Sequence, residues 1–99
     1  MANQFMPEKE VLKLKQEYPA GTRIVLNHMD DKWAVPPGTR GTVVHIDDGG
    51  HIHMKWDNGR SLSIVPEADD FRKLTTQELR EEQLLKAQEQ AEEISMDTM

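Results

Sequence analysis

Apolar residues follow two different rhythms along this chain, and the change of rhythm falls near residue 20. Before it, Val11, Leu14 and Tyr18 recur at i, i+3 and i+7, one stripe of a helix. Pro7 suits the first turn, where its missing N–H has no intrahelical partner, and Glu8 and Glu10 suit the positive end of the helix dipole. Tyr18-Pro19 ends it, because a residue before proline avoids the α region. So short a helix must lie on something else to be stable.

From Gly21 the period is two. In TRIVLN, Thr22, Ile24 and Leu26 share one face, and Arg23, Val25 and Asn27 the other. MDDKWAVPPG follows as a loop, then TRGTVVHI as a second strand, with Gly41 permitting a bend or a close approach. DDGG turns into HIHMKW, and DNG turns into RSLSIV, in which Leu62 and Ile64 alternate with Ser61 and Ser63. Pro66 ends that strand, EADD forms a single turn, and FRKL supplies a fifth strand. Five short strands on tight turns predict a mainly β domain, a small five-stranded barrel that leaves no exposed edge. The expected organisation is a helix over residues 1–20 packed on a barrel over 21–74, then a helical or partly disordered tail over 75–99. That tail opens with Thr75-Thr76-Gln77-Glu78, the T-x-x-E form of a capping box. Leu84, Ala87, Ala91 and Ile94 make only a narrow stripe along it. The stripe fits a solvated helix, with self-association or partner docking as the alternative.

Charge sharpens this division. The net charge of −6 is concentrated in residues 75–99, where seven acids face Arg80 and Lys86, a balance of −5. Residues 1–74 hold ten Lys/Arg against eleven Asp/Glu, a balance of −1. A near-neutral body disfavours phosphate binding, which draws on clustered Lys and Arg. The absence of cysteine excludes disulfides, thiolate metal sites and a cysteine nucleophile. With no apolar signal region in MANQFMPEKEVLKLK and no apolar run of spanning length, the chain reads as soluble and cytoplasmic, without membrane contact.

YPAGTRI, MDD, VPPGTRGTV, IDDGGHIHMKWDNG and SLSIVPEADDFRKL together resemble an uncharacterised bacterial domain-of-unknown-function family, frequent in Firmicutes, their phages and conjugative elements. The resemblance covers about residues 11–74. It implies an SH3-like small barrel of the KOW and Tudor type, with no catalytic residues and no cofactor.

Three sets of residues carry candidate chemistry. The first is the histidines. A three-residue hairpin loop, Asp48-Gly49-Gly50, sets Ile46 opposite Ile52, His45 opposite His53 and Val44 opposite Met54. His45, His51 and His53 would then cluster outside with Asp47, a candidate zinc or nickel site. Neighbours two apart on a strand lie about 7 Å apart, and an open face lacks the groups that fix ligand rings. If Val43 is instead a core residue, a bulge near Val44-His45 redirects His45. The histidines read as the wet face of a strand whose other face, Ile52, Met54 and Trp56, builds the core.

The second set is the loop Met29–Val35. Trp33 lies there between polar neighbours with no period holding it inside. It either caps the barrel or anchors a protein partner, as tryptophan does at interfaces. The second reading predicts a non-enzymatic protein-binding module with Met29, Asp30, Asp31, Trp33 and Val35 at the contact. The mobile-element setting that the resemblance implies would make the module a regulator or inhibitor of a host or element protein. The third set is Arg23, Arg40, Lys55 and Arg60, the cations for a KOW-like nucleic-acid interface. The acidic pairs Asp30-Asp31, Asp47-Asp48 and Asp69-Asp70 sit in turns, where aspartate bonds to nearby backbone. No nucleophile, phosphate-loop or dinucleotide motif occurs, so no enzyme is expected.

Overall fold

The computed structural model describes residues 6–97, with side chains described through Glu89. Helix α1 spans Glu8–Glu17, with Pro7 at its N-cap and Tyr18 at its C-cap. Strands β1 (Arg23–His28), β2 (Arg40–Ile46), β3 (Ile52–Trp56) and β4 (Asp70–Lys73) follow, and helix α2 runs over Thr76–Asp97. All pairings are antiparallel, in the order β3-β2-β1-β4.

The alternation within each strand divides the sheet into two faces. Ile24, Leu26, Val43, Met54 and Trp56 turn to the inner face and are buried with Ile46, Ile52 and Ile64. Val11 of α1 joins this cluster, and Leu14 and Tyr18 pack at its border. The helix therefore obtains from the sheet the burial that its length alone could not supply. Tyr18 meets the ring of Phe71 at 5.6 Å between centroids.

The expected five-stranded, partly closed barrel is not formed: the sheet has four strands and is open. The segment expected as the fourth strand, Arg60–Val65, reduces to one bridge, Ile52 to Ile64, with reciprocal bonds of 3.0 and 2.9 Å. The Arg60 carbonyl still accepts the Trp56 N–H at 2.8 Å, but two other backbone groups of the segment have side-chain partners. The Leu62 carbonyl accepts the Trp56 indole N–H at 2.7 Å, and the Val65 N–H donates to Asp69 Oδ2 at 2.8 Å. Side chains satisfy what a strand ladder would have satisfied, so the ladder does not propagate. The hydrophobic expectation for this segment still holds, since Ile64 is fully buried.

Two smaller sequence expectations appear as drawn. Glu78 N–H donates to Thr75 Oγ1 at 3.1 Å while Thr75 N–H donates to Glu78 Oε1 at 2.8 Å, a reciprocal capping box. Gly41 lies beneath Trp56, where a Cβ would stand 2.7 Å from the indole Cε3. Of the apolar stripe on α2, Leu84 is exposed, and the side chains of Ala91 and Ile94 lie outside the described residues.

Candidate functional site

The loop between β1 and β2 begins and ends in the core. Met29, 4% exposed, and Val35, 1% exposed, are buried, which corrects their expected place in a contact surface. They are the loop's feet. Between them, hydrogen bonds fix the backbone from several directions. Asp30 N–H donates to Asp69 Oδ1 at 2.9 Å, and Asp31 Oδ1 accepts Trp33 N–H at 2.7 Å. Ala34 N–H donates to the Asp31 carbonyl at 3.1 Å. Arg60, reaching from the β3 side, donates to the carbonyls of both Trp33 and Ala34. Pro36 and Pro37 lead on to Gly38, whose N–H donates to the Leu26 carbonyl at 2.7 Å.

These bonds hold a loop whose most apolar exposed side chain points outward. Trp33 is 68% exposed, with the Lys32 ammonium 5.6 Å from its ring centroid. Of the two roles open to Trp33, capping requires burial, and the indole is not buried. Asp30 and Asp31 are exposed beside it. Arg60, expected as a phosphate contact, is instead the clamp that orders the loop.

The histidines come together in part. β2 and β3 pair Ile46 with Ile52 and His45 with His53, then slip so that Val43, not Val44, faces Met54. The slip is a bulge; it keeps Val43 inside and leaves Val44 50% exposed. The His45 and His53 rings stack at 4.2 Å between centroids, 10° from parallel. Lone pairs of imidazole lie in the ring plane, so two parallel stacked rings cannot aim at one ion. Among the described residues, no three His, Cys, Asp or Glu side chains form a metal-binding group.

Asp47 organises this hairpin instead. Its Oδ1 accepts the N–H groups of Gly49 and His51 at 3.0 and 2.9 Å, and its Oδ2 lies 2.9 Å from His53 Nε2. Burial pushes the carboxyl pKa up, but the hydrogen bonds from His53, His51 and Gly49 outweigh it and hold the group well below the usual range. A folded pKa below the unfolded one contributes stability above the unfolded value, about 3.9, and loses it as pH falls through the folded value. Asp47→Ala is therefore expected to destabilise by about 1–2 kcal/mol at pH 7 in urea unfolding, from the lost turn bonds. The gap between variant and parent should narrow once the pH drops below about 4. A gap that stays constant down to pH 2 would show that the carboxylate is not what holds the turn.

The outer face of the sheet gathers cations. Cross-strand neighbours share a face, which puts Arg23, Thr42 and Lys55 in one row and Arg72, Val25 and Arg40 in the next. Arg23 and Arg40, expected as free phosphate contacts, are engaged by carboxylates. Arg23 forks onto Asp57 at 2.8 and 2.7 Å and onto Glu82 at 3.1 and 2.7 Å. Arg40 reaches Glu82 at 3.1 Å, and Arg72 forks onto Glu78 at 2.8 and 3.0 Å. Hydrogen bonds from Arg72 bring Glu78 down to about 2, and those from Arg23 lower Asp57 and Glu82. Arg72, Asp57 and Glu82 were not among the residues expected to matter, and Glu78 was expected only as a helix cap. One signal was present in the sequence: two glutamates four apart in the first turns of a helix that directly follows a strand ending Arg-Lys.

A four-stranded antiparallel sheet between two helices, with an indole on a clamped loop, defines a small β-rich domain. Among the described residues, no helix is long and apolar enough to cross a membrane. The chain belongs to the family described as Domain of unknown function (DUF4314), which matches residues 7–74. No curated protein and no solved structure matches it.

Proposed function

We propose that the domain is a non-enzymatic protein-binding module whose anchor is Trp33. What supports this reading is the exposure of an indole on a loop whose backbone is already ordered. An exposed aromatic side chain offers large contact area, and a loop fixed beforehand loses little conformational freedom on binding. Asp30 and Asp31 form the polar rim. The partner proposed is a host or mobile-element protein, with the domain as its regulator or inhibitor; only the family resemblance supports that step, by analogy.

The test is affinity capture from the native cell with the parent protein and Trp33→Ala, followed by mass spectrometry and titration of the recovered partner. Circular dichroism of both proteins should agree, because Trp33 contributes no burial to the core. A partner held by the parent is expected to bind Trp33→Ala at least about 30-fold more weakly, the scale of an interface anchor. Equal recovery by both proteins would remove the reading.

A further inference from the structure

The cationic outer face of the sheet is covered by the chain's own helix, and the cover is ionic. Glu78 and Glu82 stand four residues apart on α2, on one side of the helix and about 6 Å apart along its axis. Their carboxylates occupy the guanidinium forks of Arg72 and Arg23, and Arg40 bridges the two at 3.7 and 3.1 Å. The apolar cover is confined to Val25, which is 8% exposed between Arg72 and Arg40, since Leu79, Leu84 and Leu85 of α2 are all exposed. Past the first turns an open groove of about 570 Å³ separates α2 from the sheet, bordered by Thr42, Asp57, Leu85 and Lys86. The covering carboxylates also lie outside the residues matched by the family, which end at position 74, whereas the arginines lie within them.

From this arrangement we propose that the outer face carrying Arg23, Arg40, Lys55 and Arg72 is a binding surface for the phosphate backbone of duplex nucleic acid. Helix α2 occupies it as an internal competitor. Arginine forks accept phosphate with the same two-point geometry with which they accept carboxylate. The face is an open sheet surface, not a cavity, which suits an extended backbone. Among its cations lie Thr42 and the buried Val25 and no Trp, Tyr or Phe ring. The His45 and His53 imidazoles beside Lys55 stack on each other, so the face offers no open stacking platform of the kind single strands require. Contacts to phosphate alone fix position without reading sequence, so binding is expected to be sequence-independent. With α2 in place, Glu78 and Glu82 cancel two of the four positive charges. With α2 displaced, the carboxylates left on this face are Asp57, on Arg23, and Asp70, two residues from Arg72 on β4. This proposal is independent of the Trp33 reading, since the loop and the outer face share no residue.

The experiment is fluorescence anisotropy of a labelled 20-base-pair DNA duplex of mixed sequence, and of the matching RNA duplex, at 50 mM NaCl. The parent chain is compared with Glu78→Gln/Glu82→Gln and with Glu81→Gln/Glu89→Gln, which removes the same charge elsewhere on α2. Glutamine at 78 retains the capping-box acceptor, so α2 keeps its start and circular dichroism should not change. The first double variant is expected to bind at least about tenfold more tightly than both other proteins. Its log–log salt slope should be about −3, the value for three to four phosphate contacts. Adding Arg40→Gln should abolish the gain. No gain, or an equal gain in both double variants, would overturn the proposal. So would capture of polyglutamate in place of either duplex, which would make the ligand an acidic polypeptide.

Discussion

Trp56→Ala is expected to cost about 3–5 kcal/mol, the usual range for deleting a buried large aromatic. Trp56 is 1% exposed and lies among Ile24, Met54 and the backbone of Gly41. Two losses combine at this position. The first is the cavity, which a four-stranded sheet cannot readily collapse to fill. The second is the bond from the indole N–H to the Leu62 carbonyl, which holds the 60–65 segment across the sheet edge. In a small domain with about 5 kcal/mol of total stability, the low end of the usual range, this loss would leave the variant close to its unfolding midpoint at room temperature. In thermal unfolding the midpoint should fall by roughly 12–40 °C, at about 4–8 °C per kcal/mol for this size. Trp56→Phe separates the two losses: it refills most of the volume but leaves the Leu62 carbonyl unpaired. A loss of about 1–3 kcal/mol is expected for it. A midpoint for Trp56→Ala within 5 °C of the parent would mean that the core is not built around this ring.

The second large effect is expected at Gly41. A Cβ there would stand 2.7 Å from the Trp56 ring and 3.1 Å from the Lys55 carbonyl oxygen. The ring has no room to retreat, and the carbonyl belongs to the neighbouring strand. Gly41→Val should therefore destabilise by about 3 kcal/mol, at the upper end of overpacking costs, although valine favours strands by propensity. Because the shortest contact is with the Trp56 ring, ahead of the Lys55 carbonyl oxygen and the Met54 Cε at 3.1 Å, most of the cost should depend on that ring. Gly41→Ala is expected to destabilise by about 1–2 kcal/mol alone and by distinctly less in a Trp56→Phe background, measured by chemical denaturation of all four proteins. Strict additivity would show that the glycine serves the backbone and not the ring.

These two residues also show how far local pattern carries. The alternation in TRIVLN, RGTVVHI and HIHMKW was enough to sort inner from outer positions, because one-sided burial imposes a period of two. The Thr75-Thr76-Gln77-Glu78 cap and the Tyr18-Pro19 stop were legible for the same reason: their partners lie within a few residues. Sequence reasoning went wrong where side chains competed with a strand partner for the backbone. RSLSIV has the alternation of a strand, yet the Trp56 indole takes its Leu62 carbonyl and Asp69 its Val65 amide, and backbone bonds to β3 remain at Ile64 and at the Arg60 carbonyl. Met29 and Val35 carry no period inside an irregular loop, so nothing local marked them as buried. For the candidate site, exposure of Trp33 was one of two readings of the loop. Its clamp by Arg60 was not foreseeable, because that bond spans 27 residues. The ionic cover of the outer face was hidden for the same reason, with pairs separated by 42 and 59 residues.

Leu74 is buried at the end of the sheet, and Thr75 is already the cap of α2, so no slack separates the two elements. The helix consequently leaves the sheet at a set azimuth, and its rotational phase is dictated by chain length at this junction. One additional residue there would turn every later side chain by about 100° around the helix axis. Glu78 and Glu82 would then swing clear of the arginines with no change in their identity, so spacing alone can govern whether the outer face is shielded or bare.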